Sequence, residues 1–265
     1  MKSDIKNILT NELFYSQNNW NGWLGTPDEV SLLTKLIEKS KYVVKDKYTV
    51  SAAATVNEAY QVKEILDDNS YSKETFKLIN SGTIDRYSSL WGIKDTKYIK
   101  GSYKTPVINK RTLKNILPKR YELAETEKLI VASMTKILEV FYDEGVYLAG
   151  KSTTCILENT NEYNLKLLIG ILNSKLESFW LIRKYNSQAM SGEAINVSTP
   201  VVENLPLPDL SENDKQDIIN LVNKILTAKK ADSSADTTEW EKQIDQKVYE
   251  LYGLTSEEIA IVEGK

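Results

Sequence analysis

The sequence predicts an α+β fold: a mixed, mostly antiparallel sheet packed on a long helix, with a helical C-terminal region. Three observations carry this prediction. Residues 164–182 repeat apolar side chains at the spacing of a buried helix face. Residues 76–143 hold short runs of β-branched and aromatic residues between turn signals. Two further amphipathic patterns, at 212–228 and 239–251, follow Pro208 and predict the terminal helices.

The composition is that of an ordinary globular protein, and it excludes several classes of function. The chain has 265 residues, of which 41% are hydrophobic, and no histidine. Without histidine, Ser-His-Asp hydrolysis, histidine-ligated metal sites and Cys/His zinc fingers are excluded. The single cysteine, Cys155, excludes an internal disulfide and fits a reducing cytoplasm. No apolar run approaches the ~18 residues of a membrane span, and the N-terminus lacks a secretory leader. We therefore expect a cytoplasmic protein that does not enter a membrane.

The first 70 residues predict a bridging region with two helices around an extended segment. Residues 1–25 contain tryptophans in a polar setting and are expected to be a weakly regular lead-in. Thr26 begins a capping box with proline at the first helical position, which predicts a helix start. Residues 42–53 are rich in β-branched and aromatic residues and should be extended. Thr55 begins a second capping box and a second helix.

The sheet itself is expected over residues 71–160. Residues 76–79 alternate in polarity, and the Asn-Ser-Gly run that follows ends that strand. Residues 106–108 predict another strand. Residues 121–143 leave two interpretations open, because Tyr121 could begin a helix whereas 129–131 and 138–142 favour two strands. Turns are expected at Glu144-Gly145 and at Gly150.

The C-terminal third predicts one long helix, an extended segment and further helices. The long helix covers 164–182 and is followed by a polar run. Pro200, Pro206 and Pro208 bracket an apolar segment, which we expect to be extended and laid on the core without being a strand interior. Ser211 predicts the start of the next helix, and a capping box at Thr255 predicts the start of the last.

Four passages of this chain resemble one known family. They are FKLINSGTIDRYSSLWG (76–92), KLIVASMTKILEVFYDEGVYLAGKSTTCIL (128–157), LIGILNSKLESFW with VENLPLP (168–208), and EKQIDQKVYELYGLTSEEIAIVEG (241–264). They resemble the target recognition domain of type IIG restriction-modification enzymes, in which a Taq-type adenine methyltransferase carries a C-terminal specificity domain. Together they cover most of residues 42–264. The resemblance favours the two-strand interpretation of 121–143.

The resemblance does not extend to the catalytic half of such enzymes. The sequence has no Asn-Pro-Pro-aromatic motif to hold a target adenine, and no glycine-rich turn to hold S-adenosylmethionine. A PD…(D/E)xK nuclease motif would need Pro208-Asp209 and Asp245-Gln246-Lys247, but Asp245 lies in an amphipathic helix pattern that explains its spacing. We therefore expect no catalytic residue, metal or cofactor in this chain. S-adenosylmethionine is expected only in a methyltransferase part that the chain lacks.

The expected function is recognition of a specific double-stranded DNA sequence on behalf of a methyltransferase/endonuclease domain or subunit. The expected domains are a bridging region at 1–70, the target recognition domain at 71–210 and a helical region at 211–265. The net charge is −3, but the charges are unevenly distributed along the chain. The stretch from Lys94 to Arg120 contains nine basic residues and one acidic residue, whereas the chain after residue 202 contains fourteen acidic and seven basic residues. This asymmetry fits a protein that turns one face to a polyanion.

Phosphate contacts set the affinity for DNA, and side chains with paired donors and acceptors read base edges. The candidates for phosphate contact belong to the basic stretch: Lys97, Lys100, Lys104, Lys110 and Arg111. The candidates for base reading lie in a predicted turn (Arg86), directly after Gly150 (Lys151, Ser152 and Thr153) and in the polar run beyond the long helix (Asn186 and Gln188).

Two other classes of function remain open. The helices could form a protein-interaction scaffold that binds a partner enzyme, with the lysines merely solvated. Clustered carboxylates in a cleft would instead indicate an enzyme that works with acids alone.

Overall fold

The computed structural model describes residues 26–69, 71–159, 164–185 and 194–265. Helices and mostly antiparallel strands alternate through these residues, so the predicted α+β class is confirmed. The expected lead-in at 1–25 and the polar run after the long helix lie outside the described residues. None of the described helices is both long and apolar enough to cross a membrane.

Eleven α-helices occur in the described residues. They are α1 (Pro27–Lys39), α2 (Val44–Lys47), α3 (Val56–Glu64), α4 (Lys110–Ile116), α5 (Pro118–Glu125), α6 (Leu165–Leu172), α7 (Lys175–Tyr185), α8 (Thr199–Glu203), α9 (Glu212–Ala231), α10 (Thr238–Leu251) and α11 (Ser256–Glu263). The predicted caps at Thr26, Thr55, Ser211 and Thr255 are all formed, each side chain accepting the amide hydrogen of the residue three positions on.

The described strands form two four-stranded sheets and several two-stranded pairs, so the single sheet expected over residues 71–160 is divided in two, and residues 48–52 add a strand from outside that range. They are β1 (Ser40–Val43), β2 (Tyr48–Ala52), β3 (Leu66–Asp68), β4 (Thr75–Ile79), β5 (Ile84–Asp85), β6 (Ser88–Ser89), β7 (Thr96–Tyr98), β8 (Gly101–Tyr103), β9 (Pro106–Asn109), β10 (Lys128–Ala132), β11 (Met134–Thr135), β12 (Val140–Asp143), β13 (Tyr147–Ala149), β14 (Thr153–Glu158), β15 (Ile195–Asn196) and β16 (Pro206–Pro208). One sheet is antiparallel with the order β12-β10-β14-β2. The other has the order β13-β4-β9-β3, with β13 and β4 parallel.

Strand β10 lies between two hydrophobic cores, which explains its continuous apolar sequence. Leu129 and Val131 belong to the main core, whereas Ile130 and Ala132 belong to a smaller core that contains Cys155. Since successive strand residues point to opposite faces, a strand covered on both sides needs apolar residues at every position. The predicted strands at 129–131 and 138–142 are therefore confirmed. A helix also precedes them, but α5 begins at Pro118, and Tyr121 lies inside it.

Helix α6 packs against strands β10 and β12 of the antiparallel sheet, and helices α9 and α10 pack against α6. The approach of α6 to α9 is close at Gly170, where an added Cβ would lie 2.7 Å from Ile218 Cγ2 and 3.0 Å from Val222 Cγ2. Glycine at this position allows α6 and α9 to pack closely. Helix α6 therefore connects the antiparallel sheet to the C-terminal helices.

The prediction of one uninterrupted helix over 164–182 is wrong. The helix breaks at Asn173 and Ser174, between α6 and α7. Asn173 turns its side chain to β12: its Oδ1 accepts the Val140 amide at 3.0 Å, and its Nδ2 donates to the Val140 carbonyl at 3.0 Å. A side-chain amide that pairs with a strand edge competes with the helix, because asparagine can replace backbone hydrogen bonds.

Two extended segments also differ from prediction. Within the segment 42–53, α2 separates β1 from β2, and Asp46 accepts the Val43 amide at its start. Within 200–208, Pro200 occupies the first turn of α8, where a missing amide hydrogen is harmless. Pro206–Pro208 then forms the strand β16, which pairs with β1 and is not merely an extended segment on the core. Each proline lies at an end of this two-stranded pair, as expected for residues that lack a donor.

Candidate nucleic-acid interface

The hairpin β7–β8 presents two of the lysines predicted to contact phosphate. Lys97 lies on β7 and Lys100 in the turn, and both side chains are exposed. Ile99 and Lys100 have φ values of 40° and 62°, the left-handed conformation that tight two-residue hairpin turns need at both central residues. Neither residue is glycine, so the turn keeps an exposed lysine at its tip in a conformation that side chains rarely adopt.

Asn80 connects this hairpin to the turn that follows Gly150. Its Nδ2 donates to the Lys97 carbonyl at 2.9 Å, and its Oδ1 accepts the Ser152 amide at 3.1 Å. The Ser81 hydroxyl donates to the Ser152 carbonyl as well. Gly150 suits this contact, because an added Cβ would lie 2.7 Å from Asn80 Oδ1.

These two loops enclose a shallow cavity of about 540 Å³ on the protein surface. Its lining includes Lys97, Lys100 and Ser152 together with Asn80, and exposed Lys151 is the neighbour of Ser152. The structure thus brings together residues predicted for phosphate contact and residues predicted for base reading. Asn80 was missed, because in the sequence the Asn-Ser-Gly run indicates only the end of a strand.

One arginine of the basic stretch lies inside the protein, beside the backbone that precedes Gly150. Arg120 is buried, its Nη2 donates to the Ala149 carbonyl at 2.5 Å, and its Nη1 donates to the Ala53 carbonyl. Burial lowers the pKa of Arg120 because it removes water from the charged guanidinium. Arg120 therefore supports the backbone just before Gly150 and is unavailable to DNA.

The other three candidates for phosphate contact lie outside the lining of this cavity. Lys104 is exposed, with its Nζ 4.0 Å from Asp95. Lys110 begins α4, and its Nζ lies 4.7 Å from the centre of the Phe76 ring. Arg111 follows it and is exposed. Asp95, the acid of this stretch, also accepts a hydrogen bond from Ser102, which in turn accepts from Lys97.

Two candidates for base reading form hydrogen bonds or ion pairs with other residues of this chain, and only Thr153 of the two is buried. Thr153 is buried, and its hydroxyl donates to the Gly150 carbonyl at 2.7 Å. Arg86 pairs with Glu241 on α10 at 2.9 Å and donates to the Asn173 carbonyl at 3.2 Å. Thr153 thus shapes the turn, and Arg86 links the β5–β6 hairpin to the helix break and to α10. Asn186 and Gln188 lie outside the described residues.

The acids of the possible nuclease motif have structural contacts. Asp209 is exposed and pairs with Lys41 at 2.9 Å. Asp245 is buried, and its Oδ1 accepts the Lys175 amide at the start of α7 at 2.8 Å. Burial raises the pKa of Asp245 to about 6. Within the described ranges, no group of three or more acidic, cysteine or histidine residues is arranged to hold a metal ion.

Fold and site together define an α+β module whose basic hairpin and polar turn share one surface. Residues 79–207 match the family model of the TaqI-like C-terminal specificity domain. The resemblance to the target recognition domain of type IIG restriction-modification enzymes is therefore confirmed for this part of the chain.

Two solved structures that align with this chain are of restriction enzymes. The type IIG restriction endonuclease BpuSI aligns with a TM-score of 0.50 and 13% identity, over 88% of this chain and 33% of its own. The type IIL restriction-modification enzyme MmeI, solved in complex with DNA, aligns with a TM-score of 0.40 and 10% identity, over 85% of this chain and 34% of its own. The chain therefore spans about a third of the length of either enzyme. No curated protein matches the sequence.

Proposed function

We propose that this chain recognises a specific double-stranded DNA sequence for a type IIG-like restriction-modification adenine methyltransferase and is not catalytic by itself. The observation that carries the proposal is the cavity shared by Lys97, Lys100 and Ser152, which lies within the part of the chain that matches a specificity domain. Cations for phosphate and a polar turn for base edges are the two sets of groups that sequence-specific binding needs.

In this proposal the residues divide into positioning and reading roles. Lys97 and Lys100 contact phosphates at the cavity, and Lys104, Lys110 and Arg111 extend the cationic surface. Lys151 and Ser152 approach base edges. Asn80 holds the two loops next to each other, because its side-chain amide forms hydrogen bonds with both. A base contact from Arg86 would first have to replace its ion pair with Glu241, and the buried Thr153 would act through the turn.

Asn186 and Gln188 stay candidates for base reading under the same proposal. The methylation or cleavage itself belongs to a methyltransferase/endonuclease domain or subunit, which would also hold S-adenosylmethionine. Residues 1–70 would bridge to that part, residues 71–210 would recognise DNA, and residues 211–265 would support the recognition domain.

A second candidate function is a scaffold that binds a partner enzyme. Val56 and Tyr60 favour it, because they lie one helical turn apart on α3 with exposed fractions of 55% and 49%. Such a pair suits a helix face that packs against another protein.

The proposal is tested by selection from a randomised duplex pool, followed by sequencing of the retained DNA. We expect one short motif to be enriched. Lys100→Ala should then weaken selected and random duplexes alike and lower the salt slope of binding by about one unit. The matched control is Lys224→Ala, which removes an exposed lysine of α9 outside the cavity.

Three results would speak against the proposal. Retention without any enriched motif would leave only non-specific binding. Absence of binding would favour the scaffold. A salt slope that Lys100→Ala and Lys224→Ala lower equally would remove the phosphate role from the cavity.

A further inference from the structure

A second cavity, of about 570 Å³, lies between strands of both large sheets, the β5–β6 hairpin region and helix α9. It shares no lining residue with the cavity described above. Its walls combine aromatic rings with amino groups, and the lining includes Lys77, Trp91, Phe141, Tyr142, Tyr147 and Lys166. Its volume falls within the range of about 300–1,000 Å³ that small-molecule sites occupy.

Lys77 lines this cavity, and its ammonium group lies over three aromatic rings, of which Trp91 and Tyr147 line the cavity and Tyr71 lies outside the lining. Its Nζ lies 4.7 Å from the ring centres of Tyr71 and Trp91, and 5.4 Å from that of Tyr147. In the part of the chain that the structure describes, its Nζ has no ion pair and no hydrogen bond. Ring faces stabilise a cation, but an ammonium group carries three N–H donors that prefer oxygen acceptors. Lys77 therefore retains donors for an anion.

The surrounding charges also favour an anion. Three more lysines line the cavity, Lys166, Lys229 and Lys230, against the acids Asp143 and Glu144. Both acids are already paired, Asp143 with Lys128 at 2.5 Å and Glu144 with Lys230 at 2.7 Å. The cavity consequently has an excess of positive charge beside flat apolar surfaces.

We propose that this cavity binds one nucleoside monophosphate unit, with the base against the aromatic wall and the phosphate at Lys77. Bases of any identity stack on aromatic side chains, and a phosphate supplies the oxygen acceptors that Lys77 lacks. The unit has two possible sources, a free nucleotide or a nucleotide unstacked from a DNA strand. Neither source requires the contacts of Lys97, Lys100 or Ser152, so the inference goes beyond the proposed function.

The test is isothermal titration of the full chain with deoxyadenosine monophosphate, with deoxyadenosine and with inorganic phosphate. We expect saturable binding of the nucleotide and weaker binding of the two fragments. Lys77→Met should weaken nucleotide binding about tenfold, as expected for the loss of a charge-assisted hydrogen bond, and Lys77→Arg should largely retain it. Lys114→Met is the matched control, because Lys114 also lies over a tyrosine ring, 5.0 Å from that of Tyr121, but outside this cavity.

A second arm separates the two sources. A duplex with one unpaired deoxyadenosine is compared with the fully paired duplex, each in competition with the free nucleotide. Preferential, Lys77-dependent binding of the bulged duplex supports a strand nucleotide, and binding of the free nucleotide alone supports the other source.

The inference is overturned if neither the nucleotide nor the bulged duplex shows Lys77-dependent saturable binding. It is also overturned if inorganic phosphate binds as tightly as the nucleotide. Circular dichroism of Lys77→Met and Lys77→Arg verifies that both variants are folded. Neither of these two results would change the selection of a DNA motif from the randomised pool. The nucleotide site and the proposed function can therefore be refuted independently of each other.

Discussion

The ion pair between Lys128 and Asp143 predicts a large loss of stability when its cation is removed. Both side chains are fully buried. Lys128 Nζ donates to Asp143 Oδ2 at 2.5 Å and to the carbonyls of Ala124 and Thr126 at 3.1 and 3.0 Å. The other Asp143 oxygen accepts the Val146 amide at 2.8 Å, in the turn that joins the two large sheets. The pair thus joins α5, β10 and this turn.

Lys128→Met keeps the length of the side chain but leaves the Asp143 carboxylate buried without its cation. Loss of one partner of a buried pair costs roughly 3–5 kcal/mol. With about 2–4 °C per kcal/mol for a chain of this size, the melting temperature should fall by roughly 6–20 °C. Burial raises the pKa of Asp143, and the charge of Lys128 lowers it in part. Because Lys128→Met removes that charge, the pKa of Asp143 should be higher in the variant than in the parent. Since an unfolded aspartate titrates near pH ~4, the stability of the variant should fall as the pH rises above ~4.

The assay is urea unfolding at two pH values, with Lys224→Met as an exposed control. The double variant Lys128→Met/Asp143→Asn should lose less stability than Lys128→Met, because a neutral amide needs no cation and its oxygen still accepts the turn amides. A Lys128→Met variant within about 0.5 kcal/mol of the parent would refute the reasoning, as would a double variant less stable than Lys128→Met.

Two more predictions concern the helices. Gly170→Ala should destabilise the protein, because overpacking against Ile218 costs about 1–3 kcal/mol and outweighs a helix-propensity gain of about 1 kcal/mol. Gly82→Ala, where an added Cβ meets nothing within 4 Å, is the control in thermal unfolding, and a more stable Gly170→Ala variant would contradict the packing. Burial raises the pKa of Glu177 well above its usual value, so parent stability should fall by up to about 1.4 kcal/mol per pH unit above the unfolded pKa of ~4.3. Glu177→Gln should remove that slope, and parallel stability–pH curves for parent and variant would show that Glu177 is not buried as a neutral acid.

The sequence predicts best those features that depend on contacts between near neighbours. The helix caps at Thr26, Thr55, Ser211 and Thr255 depend on only four consecutive residues each, and all of them form. The apolar run that forms strand β10 is less specific, because a short apolar run fits a buried helix segment as well as a buried strand. Family resemblance adds what periodicity leaves open, namely the strands of residues 121–143.

The features that the sequence does not predict depend on partners far along the chain. The helix break at Asn173 needs the edge of β12, which lies 33 residues earlier. From the sequence alone Arg86 is expected to be an exposed turn residue, because its ion-pair partner Glu241 lies far along the chain. The site also depends on residues that are distant in the sequence, because the Asn80 side chain bonds both to Lys97 and to Ser152. The charge pattern therefore identified a basic stretch as a candidate for phosphate contact, but it did not show which of its lysines lie on the same surface as Ser152.

The pairing of β2 with β14 determines how this module could be transplanted between enzymes. Strand β2 (Tyr48–Ala52) closes one edge of the antiparallel sheet through five paired positions along β14. A chimaera that exchanged only residues 79–207 would have to recreate that pairing with foreign sequence, and a mismatch would expose an apolar strand edge, which promotes aggregation. It would also separate Arg86 from Glu241. Under the proposed function, a graft intended to transfer specificity should therefore carry β2 and helix α10 together with the loops at Lys100 and Ser152.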